Sequence, residues 1–546
     1  MPETLPSPTT TATDRLALHV TTVPFDQIPQ FSPRDRAYAT GDERLREFYK
    51  YPVAWESFAQ IARDKAGDST DRATLVRVLR AQYAGLNPSE RTRANIDALL
   101  QNDTFTVVTA HQPSLFTGPL YYIYKIISTL NLAKQLNERE AFRTVPVFIT
   151  GGEDHDFEEI NHLRLFGKTV SWQNDEHGPV GRMSTKALRD PLEQLRDILG
   201  DGDEARAVFE RLERTHTQHD SYGAAAVALA NELFGADGLV VLNMDQPDLK
   251  RRFIPHIERE IFGQTSQPLV EATQQQLAEA GFGSQAHARD INFFYLRPGE
   301  RNRIVLEDGT YRVLDTDLQF TEAELRTEIQ QHPERFSPNV VMRPIYQETI
   351  LPNLAYVGGG GELAYWLERK TQFDAFGLNF PLLIRRNSAV WIDKTAAKRM
   401  DKLALSFEEL LRDEDAIIRD FVQHHSENEL DLREEKRDLH QLFERVAAKM
   451  REVDPTLGKA ARAEATNQLK ALSQLESRLI RAEKQKNETA IGQIRSVREK
   501  LFPGNGMQER HDNFLSFYVR YGEDFFAVLR EQFDPLRPEL VVVTDR

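Results

Sequence analysis

The chain has 546 residues, a 40% hydrophobic share and a formal net charge of −15. That length exceeds one ordinary core and predicts two or three structural units, and the acidic balance argues against nucleic acid as the main partner. The absence of cysteine excludes disulfides, thiolate metal sites and a cysteine nucleophile.

Residues 1–14, rich in Pro, Ser and Thr, predict a disordered tail, and their order does not match a secretory signal. No apolar run is long enough for a bilayer-spanning helix. WESFAQIARDKAG and RATLVRVLRAQYAGL predict amphipathic helices. FTVVTA is short and β-branched, as a buried strand is. It leads into His111, Gln112 and the Thr117, Gly118, Pro119 turn, where Thr117 is expected to cap a helix and Pro119 to open it. Leu120, Ile123, Tyr124, Ile127 and Leu130 then trace one apolar helical face. The strand VPVFIT follows and ends in Gly151, Gly152, Glu153, Asp154, His155 and Asp156. This βαβ layout places polar groups at the carboxyl ends of two strands, the edge where open α/β sheets bind ligands. His111 alone fits a core histidine equally well, but four ionisable residues in a row after a buried strand are hard to explain by packing.

GLVVLNMD predicts a further strand with Asp245 at its end, and Pro247 opens the next helix. INFFYLRPGERNRIVLEDGTYRVL predicts a hairpin or meander turning at Pro298, Gly299 and at Asp308, Gly309. Residues 339–342 read as another strand. The glycine run 358–361 precedes a helix carrying Glu362, Tyr365 and Trp366, and PLLIRR reads as a buried strand. The run could bring backbone N–H groups close to phosphate, although it is neither a P-loop nor a dinucleotide fingerprint. Beyond residue 393 charged residues dominate. Leu439, Phe443, Val446, Met450 and Val453 trace a heptad seam, Pro455 and Gly458 interrupt it, and Leu472, Leu475, Leu479 and Ala482 resume it. An antiparallel coiled-coil arm is expected, with LFPGNGMQER and the strand-like LVVVTD closing the chain.

HQPSLFTGPLYYIYK, VPVFITGGEDHDFEEINH, SPNVVMRPIYQETILPNLAYVGGGGELAYW and LFPGNGMQER, taken in this order, resemble the bacillithiol biosynthesis cysteine-adding enzymes, the bacillithiol cysteine ligases. The resemblance implies a cytoplasmic ligase that adds L-cysteine to the amine of glucosaminyl-malate. It also implies a Rossmann-like α/β core with inserted connecting segments, and a homodimer through the coiled coil. Ala110 and Ser114 stand where that family's first motif has glycines, and Gly360 where its glycine-rich turn has proline. The His-x-Gly-His signature of adenylate-forming synthetases is absent, since Ser114 stands three residues after His111.

The expected organisation is a tail over 1–14, an α/β core over 15–394, a coiled-coil arm over 395–500 and a returning segment over 501–546. Amide formation from a free carboxylate needs an activated acyl group, which ATP or another nucleotide would supply; the residues alone leave the energy source open. His111, Glu153, Asp154, His155 and Asp156 are the catalytic candidates, with the acidic cluster holding and deprotonating the amine. The substrate- or nucleotide-binding candidates are Gln112, Thr117, Gly118, Lys125, Asp245, Arg343, Gln347, Tyr356, Gly358, Gly359, Glu362, Tyr365, Gln508 and Arg510. Among these, Arg343 and Gln347 are expected to hold the malate carboxylates. No metal site is expected. Two competing readings are a metal-dependent hydrolase using the acidic cluster with His162, and a non-catalytic nucleotide-binding coiled-coil scaffold.

Overall fold

A computed structural model of the chain describes residues 10–426 and 430–546. The chain divides into two compact units, residues 1–390 with 507–543, and residues 391–506 with 544–546. Of the expected tail, residues 1–9 lie outside the described residues. Ala12–Arg15 forms a helical turn capped by Thr11, with Ala12 buried.

The first unit is built on a parallel sheet of β1 (Thr104–His111), β2 (Arg143–Thr150), β3 (Val240–Asn243), β4 (Asn353–Gly358) and β5 (Leu382–Arg385), in the order β5-β4-β1-β2-β3. β1 is central, and Thr104 to Ala110 are all buried. Their β-branched side chains suit a strand covered on both faces. The chain winds from β1 through β2 to β3 on one side, then returns to lay β4 on the other side of β1. The carboxyl ends of β1 and β4 therefore flank the topological switch point.

Helix α1 (Tyr121–Arg139) connects β1 to β2, and the expected apolar face is buried at every position. Its start differs from expectation. Thr117 ends a 3-10 turn (Leu115–Thr117) at φ 75° and caps nothing, and the helix begins four residues later. Asn513 Nδ2 donates to the Phe116 and Gly118 carbonyls, while the Leu120 N–H donates to the Asp512 carbonyl. A long-range polar clamp thus replaces the local cap. Gly118, at φ 62°, cannot be exchanged freely, because an added Cβ would lie 2.6 Å from Ser114 Cβ.

The expected meander is present as Phe293–Arg297, Glu300–Glu307 and Thr310–Val313, paired antiparallel. It turns at Gly299 and Gly309, both at positive φ. Residues 339–342 are not a strand. Phe336–Pro338 is the strand, and Asn339 Oδ1 then accepts from the Val341 N–H to lead into α2 (Arg343–Ile350). α3 (Gly360–Trp366) follows β4.

The second unit carries α4 (Arg433–Val453) and α5 (Leu457–Lys486), a helical hairpin, beside a small apolar core that includes Ile417, Ile418, Val422, Ile491 and Ile494. The buried seam departs from the expected heptads. On α4 it follows Lys436, Leu439, Phe443, Ala447 and Met450, and Val446 (37% exposed) and Val453 (82%) fall outside it. On α5 it follows Gly458, Ala461, Ala465, Leu469, Leu472, Glu476, Ile480 and Glu483. Leu475 (49% exposed), Leu479 (42%) and Ala482 face away from it. Steps of 3, 4 and 4 give 3.67 residues per turn, the spacing of an 11-residue repeat, which favours right-handed over left-handed winding. Small residues near the turn let the helices approach. A Cβ on Gly458 would lie 2.4 Å from Arg451 Cγ.

Candidate functional site

A cavity of about 570 Å³ opens at the switch point. The ends of β1, β2, β3 and β4 supply its floor, and the inserted meander supplies one wall. His111, Gln112, Lys125, Glu153, Asp154, His155, Asp156, Asp245, Arg343, Gly359, Glu362, Tyr365 and Arg510 all line it. Thr117, Gly118, Gln347, Tyr356, Gly358 and Gln508 do not. Thr117 and Gly118 belong to the clamped turn. Gln347 is buried one helical turn beyond Arg343, where its amide donates to Glu348 (3.0 Å). Gln508 is buried, and Tyr356 acts through Glu362. His162 is exposed outside the cavity. Sequence reasoning missed Tyr121, Arg301, Phe294, Asn339 and Arg386, which also line it.

One end is cationic. Lys125, buried in α1, pairs with Glu362 at 2.5 Å and donates to the Ala110 carbonyl at 2.7 Å. Burial lowers Lys125 to about 8 against the opposing pull of Glu362. Burial would raise Glu362, but Lys125, the Gly359 N–H (2.9 Å) and the Tyr356 hydroxyl (2.7 Å) bring it to about 2. Glu362 therefore occupies the anion position that the glycine run was expected to offer phosphate. At Gly360, where the family's turn has proline, an added Cβ would lie 2.1 Å from Asp35 Cγ. That Asp35 carboxylate is held by Arg385 at 2.8 and 3.1 Å, so a side chain at 360 would have to displace this ion pair.

Arg343 donates to the Tyr365 hydroxyl at 2.7 Å. Arg386 pairs with Glu509 at 2.6 Å, while its Nε is buried without a partner. Arg386 and Arg510 both lie against the Tyr121 ring, at 5.4 and 5.6 Å. His111 packs edge-on against Tyr121 at 5.1 Å, and its Nε2 is buried without a partner. Burial, then Lys125, pushes His111 down to about 3, so it is neutral at pH 7.

The other end is acidic. Glu153 pairs with the buried Lys250, and burial raises its carboxyl. Burial would raise Asp245 too, but Arg182 grips it at 2.7 and 2.8 Å and holds it below the usual carboxylate range. Asp154 accepts from Gln112 at 2.7 Å. Ligand atoms of Asp154, His155 and Asp156 lie within 4.8 Å of one another. That spacing would suit a cation, but the Arg301 guanidinium already sits 2.8 Å from His155 Nδ1 and 3.7 Å from Asp154. Its positive charge opposes a second cation there.

Residues 18–387 match the family model described as bacillithiol biosynthesis BshC, N-terminal Rossmann-like domain. Residues 389–544 match the model of the C-terminal coiled-coil domain of BshC. The chain belongs to the BshC family. Relatives named "Putative cysteine ligase BshC" include one from Christiangramia forsetii, 40% identical over 96% of this chain and 98% of the relative. One from Flavobacterium johnsoniae is 38% identical over 94% and 97%, and one from Bacillus cereus 28% identical over 91% and 95%. The BshC pattern of a Rossmann-like domain followed by a coiled-coil domain is the architecture described above.

Proposed function

We propose that this protein joins the carboxyl group of L-cysteine to the amine of glucosaminyl-malate, forming the amide of bacillithiol in the last step of its biosynthesis. The observation that carries this reading is the separation of charge inside one cavity. Arg343, Arg386 and Arg510 gather around Tyr365 and Tyr121 with Glu362 among them, and Glu153, Asp154 and Asp156 gather beyond, with Lys250 and Arg301 beside them. A substrate with a dicarboxylate at one end and an amine at the other matches that polarity.

In this reading the malate carboxylates take the arginine end, with Arg386 Nε and His111 Nε2 as unspent polar atoms nearby. The ammonium group takes the acidic end. Cysteine enters with its carboxyl activated as an acyl-adenylate or acyl phosphate, made from ATP or another nucleotide. The ammonium group gives one proton to solvent, and the resulting neutral amine attacks the acyl carbon. The new C–N bond forms, the C–O bond to the phosphate leaving group breaks, and the amine proton passes to a carboxylate. The fixed hydrogen bonds of Asp154, Asp245 and Glu362 leave Asp156, exposed at the cavity, as the acceptor. The cysteine thiol takes no part in bond formation. The exposed apolar positions of the α4–α5 arm serve homodimer formation.

Binding of glucosaminyl-malate tests the placement. Calorimetric titration of Arg343→Met and Arg510→Met is expected to weaken glucosaminyl-malate by about 10- to 100-fold, the loss of one charge-assisted hydrogen bond. Cysteine binding should be unchanged. Weakened cysteine with unaltered glucosaminyl-malate would reverse the assignment.

A further inference from the structure

Arg301 lines the cavity, and each of its three side-chain nitrogens meets a polar atom of the wall. Its side chain is 7% exposed and lies on the Glu300–Glu307 strand of the inserted meander. Nε donates to Ser337 Oγ at 3.1 Å, and Nη2 to the Pro338 carbonyl at 3.3 Å. The guanidinium carbon sits 3.9 Å from the centre of the Phe294 ring, which also meets the His155 ring at 5.6 Å. The remaining arm, Nη1, points at His155 Nδ1 from 2.8 Å. The planar fork is thus fixed on one face by an aromatic ring and along its edges by two oxygens, which leaves it little freedom to turn away.

A guanidinium donates and never accepts. The ring nitrogen it meets at 2.8 Å therefore carries a lone pair, and the ring proton of His155 belongs on Nε2. We propose that Arg301 is a positioning residue that locks His155 in the Nε2–H tautomer, so that His155 acts as a hydrogen-bond donor to substrate and not as the base. The kinetic part of this proposal rests on the ligase reading; the tautomer does not.

The consequence for the chemistry is a division of labour within the acidic cluster. When the amine adds to the acyl carbon, negative charge grows on the acyl oxygen. A fixed Nε2–H is suited to meet it, because a preset donor needs no reorganisation as the charge develops. Asp156, exposed at the cavity and close to the His155 ring, is then left to take the proton that the attacking amine sheds. Asp154 is already engaged by Gln112 and by the His155 backbone N–H at 2.8 Å. The pair formed by His155 and Arg301 also lines a second cavity of about 350 Å³, which includes Phe157, Glu176, His177 and Met183. Arg301 therefore holds His155 in a wall shared by two cavities, where a loose ring could swing to either side.

Two-bond proton–nitrogen spectra of the full chain labelled with 15N-histidine, taken at pH 8, read the tautomer directly. His155→Gln assigns the resonance by its loss. The Nε2–H pattern is expected in the unmodified protein and in Arg301→Lys, which keeps a cationic donor. Arg301→Met is expected to show a mixture or the Nδ1–H form. An Nδ1–H pattern in the unmodified protein overturns the proposal, and this reading stands even if Arg301→Met does not fold. An unmoved pattern in a folded Arg301→Met overturns it as well. In steady-state assays Arg301→Met should lower kcat by about 10- to 100-fold, as loss of a group that orients a functional imidazole does. KM for both substrates should hold, and Arg301→Lys should recover most of the loss. An unchanged kcat would remove the positioning role. Absence of product from the unmodified protein would instead count against the ligase reading, while the spectra still decide the role of Arg301.

Discussion

His111 shows how the same residue satisfies two readings. It ends the central strand, packs against Tyr121 and Tyr122, and yet keeps Nε2 free of any partner at the cavity. Burial and the neighbouring Lys125 bring it to about 3, against an ordinary value of 6.5. Between those values the unfolded chain binds a proton that the folded chain does not, so this group makes stability fall as pH drops from 6.5 towards 3. Above 6.5 it contributes no pH dependence. His216, which burial lowers to about 4, acts in the same direction. In His111→Gln the loss of melting temperature between pH 7.5 and 5 should be smaller than in the unmodified protein. Equal slopes in calorimetry would mean that His111 is not held neutral by burial.

Other single residues were legible or not for reasons of distance along the chain. Glu153, Asp154, His155 and Asp156 stood out because they follow a buried strand directly. Arg301 did not, because its charge sits at no unusual local position and only the meander brings it to the cavity; Arg386 directly follows the buried strand of PLLIRR, a signal of the same kind that was passed over. Gln347 was misplaced although it shares a helical face with Arg343. α2 runs away from the cavity, and one turn is enough to sink Gln347 beneath the wall.

Elements followed the sequence where local chemistry decides them. β1, β2 and β3 are β-branched runs, β5 is a short apolar one, and the meander turns at its glycines, whereas β4, with one β-branched residue, was not read as a strand. The start of α1 was misread because the Thr117 cap is replaced by Asn513, almost 400 residues away in sequence. In the arm the heptad reading was right about the hairpin and about Leu439, Phe443, Met450 and Leu472, and wrong about Val446, Val453, Leu475, Leu479 and Ala482. Small Ala447, Ala461 and Ala465 are the buried positions, and larger leucines nearby are exposed. A pattern search weighted to large apolar residues passes over the small buried ones and admits some that are exposed. Leu442, Val446, Leu475 and Leu479 are exposed apolar residues of the arm, and the proposed homodimer assigns them to contact with a second copy of the chain. Leu475→Glu with Leu479→Glu should turn a dimer into a monomer of 62.6 kDa in light scattering, with helix content unchanged. A dimer that survives both substitutions, and also survives deletion of 431–486, would place the contact elsewhere.

At the scale of the whole molecule, two family models follow one another along the chain, and each spans one of its architectures. The sequence made the class of fold legible because strand-end motifs, a glycine-rich turn and a charged helical segment occur in a fixed order. It did not make the charge separation of the cavity legible, since that depends on which arginines the inserted segments deliver and which carboxylates they neutralise. Lys125 with Glu362, Arg182 with Asp245, Lys250 with Glu153 and Arg386 with Glu509 pair locally. What remains is Arg343 and Arg510 at one end, and the exposed Asp156 with Arg301 near it at the other.

The most direct test is mass spectrometry of a mixture of the full chain, glucosaminyl-malate, L-cysteine and ATP, with AMP and ADP followed in parallel. The expected result is a product heavier than glucosaminyl-malate by cysteine less one water, formed by the unmodified protein and abolished in a folded Asp156→Asn. No such product with ATP or any other nucleoside triphosphate, or full activity in Asp156→Asn, would contradict it.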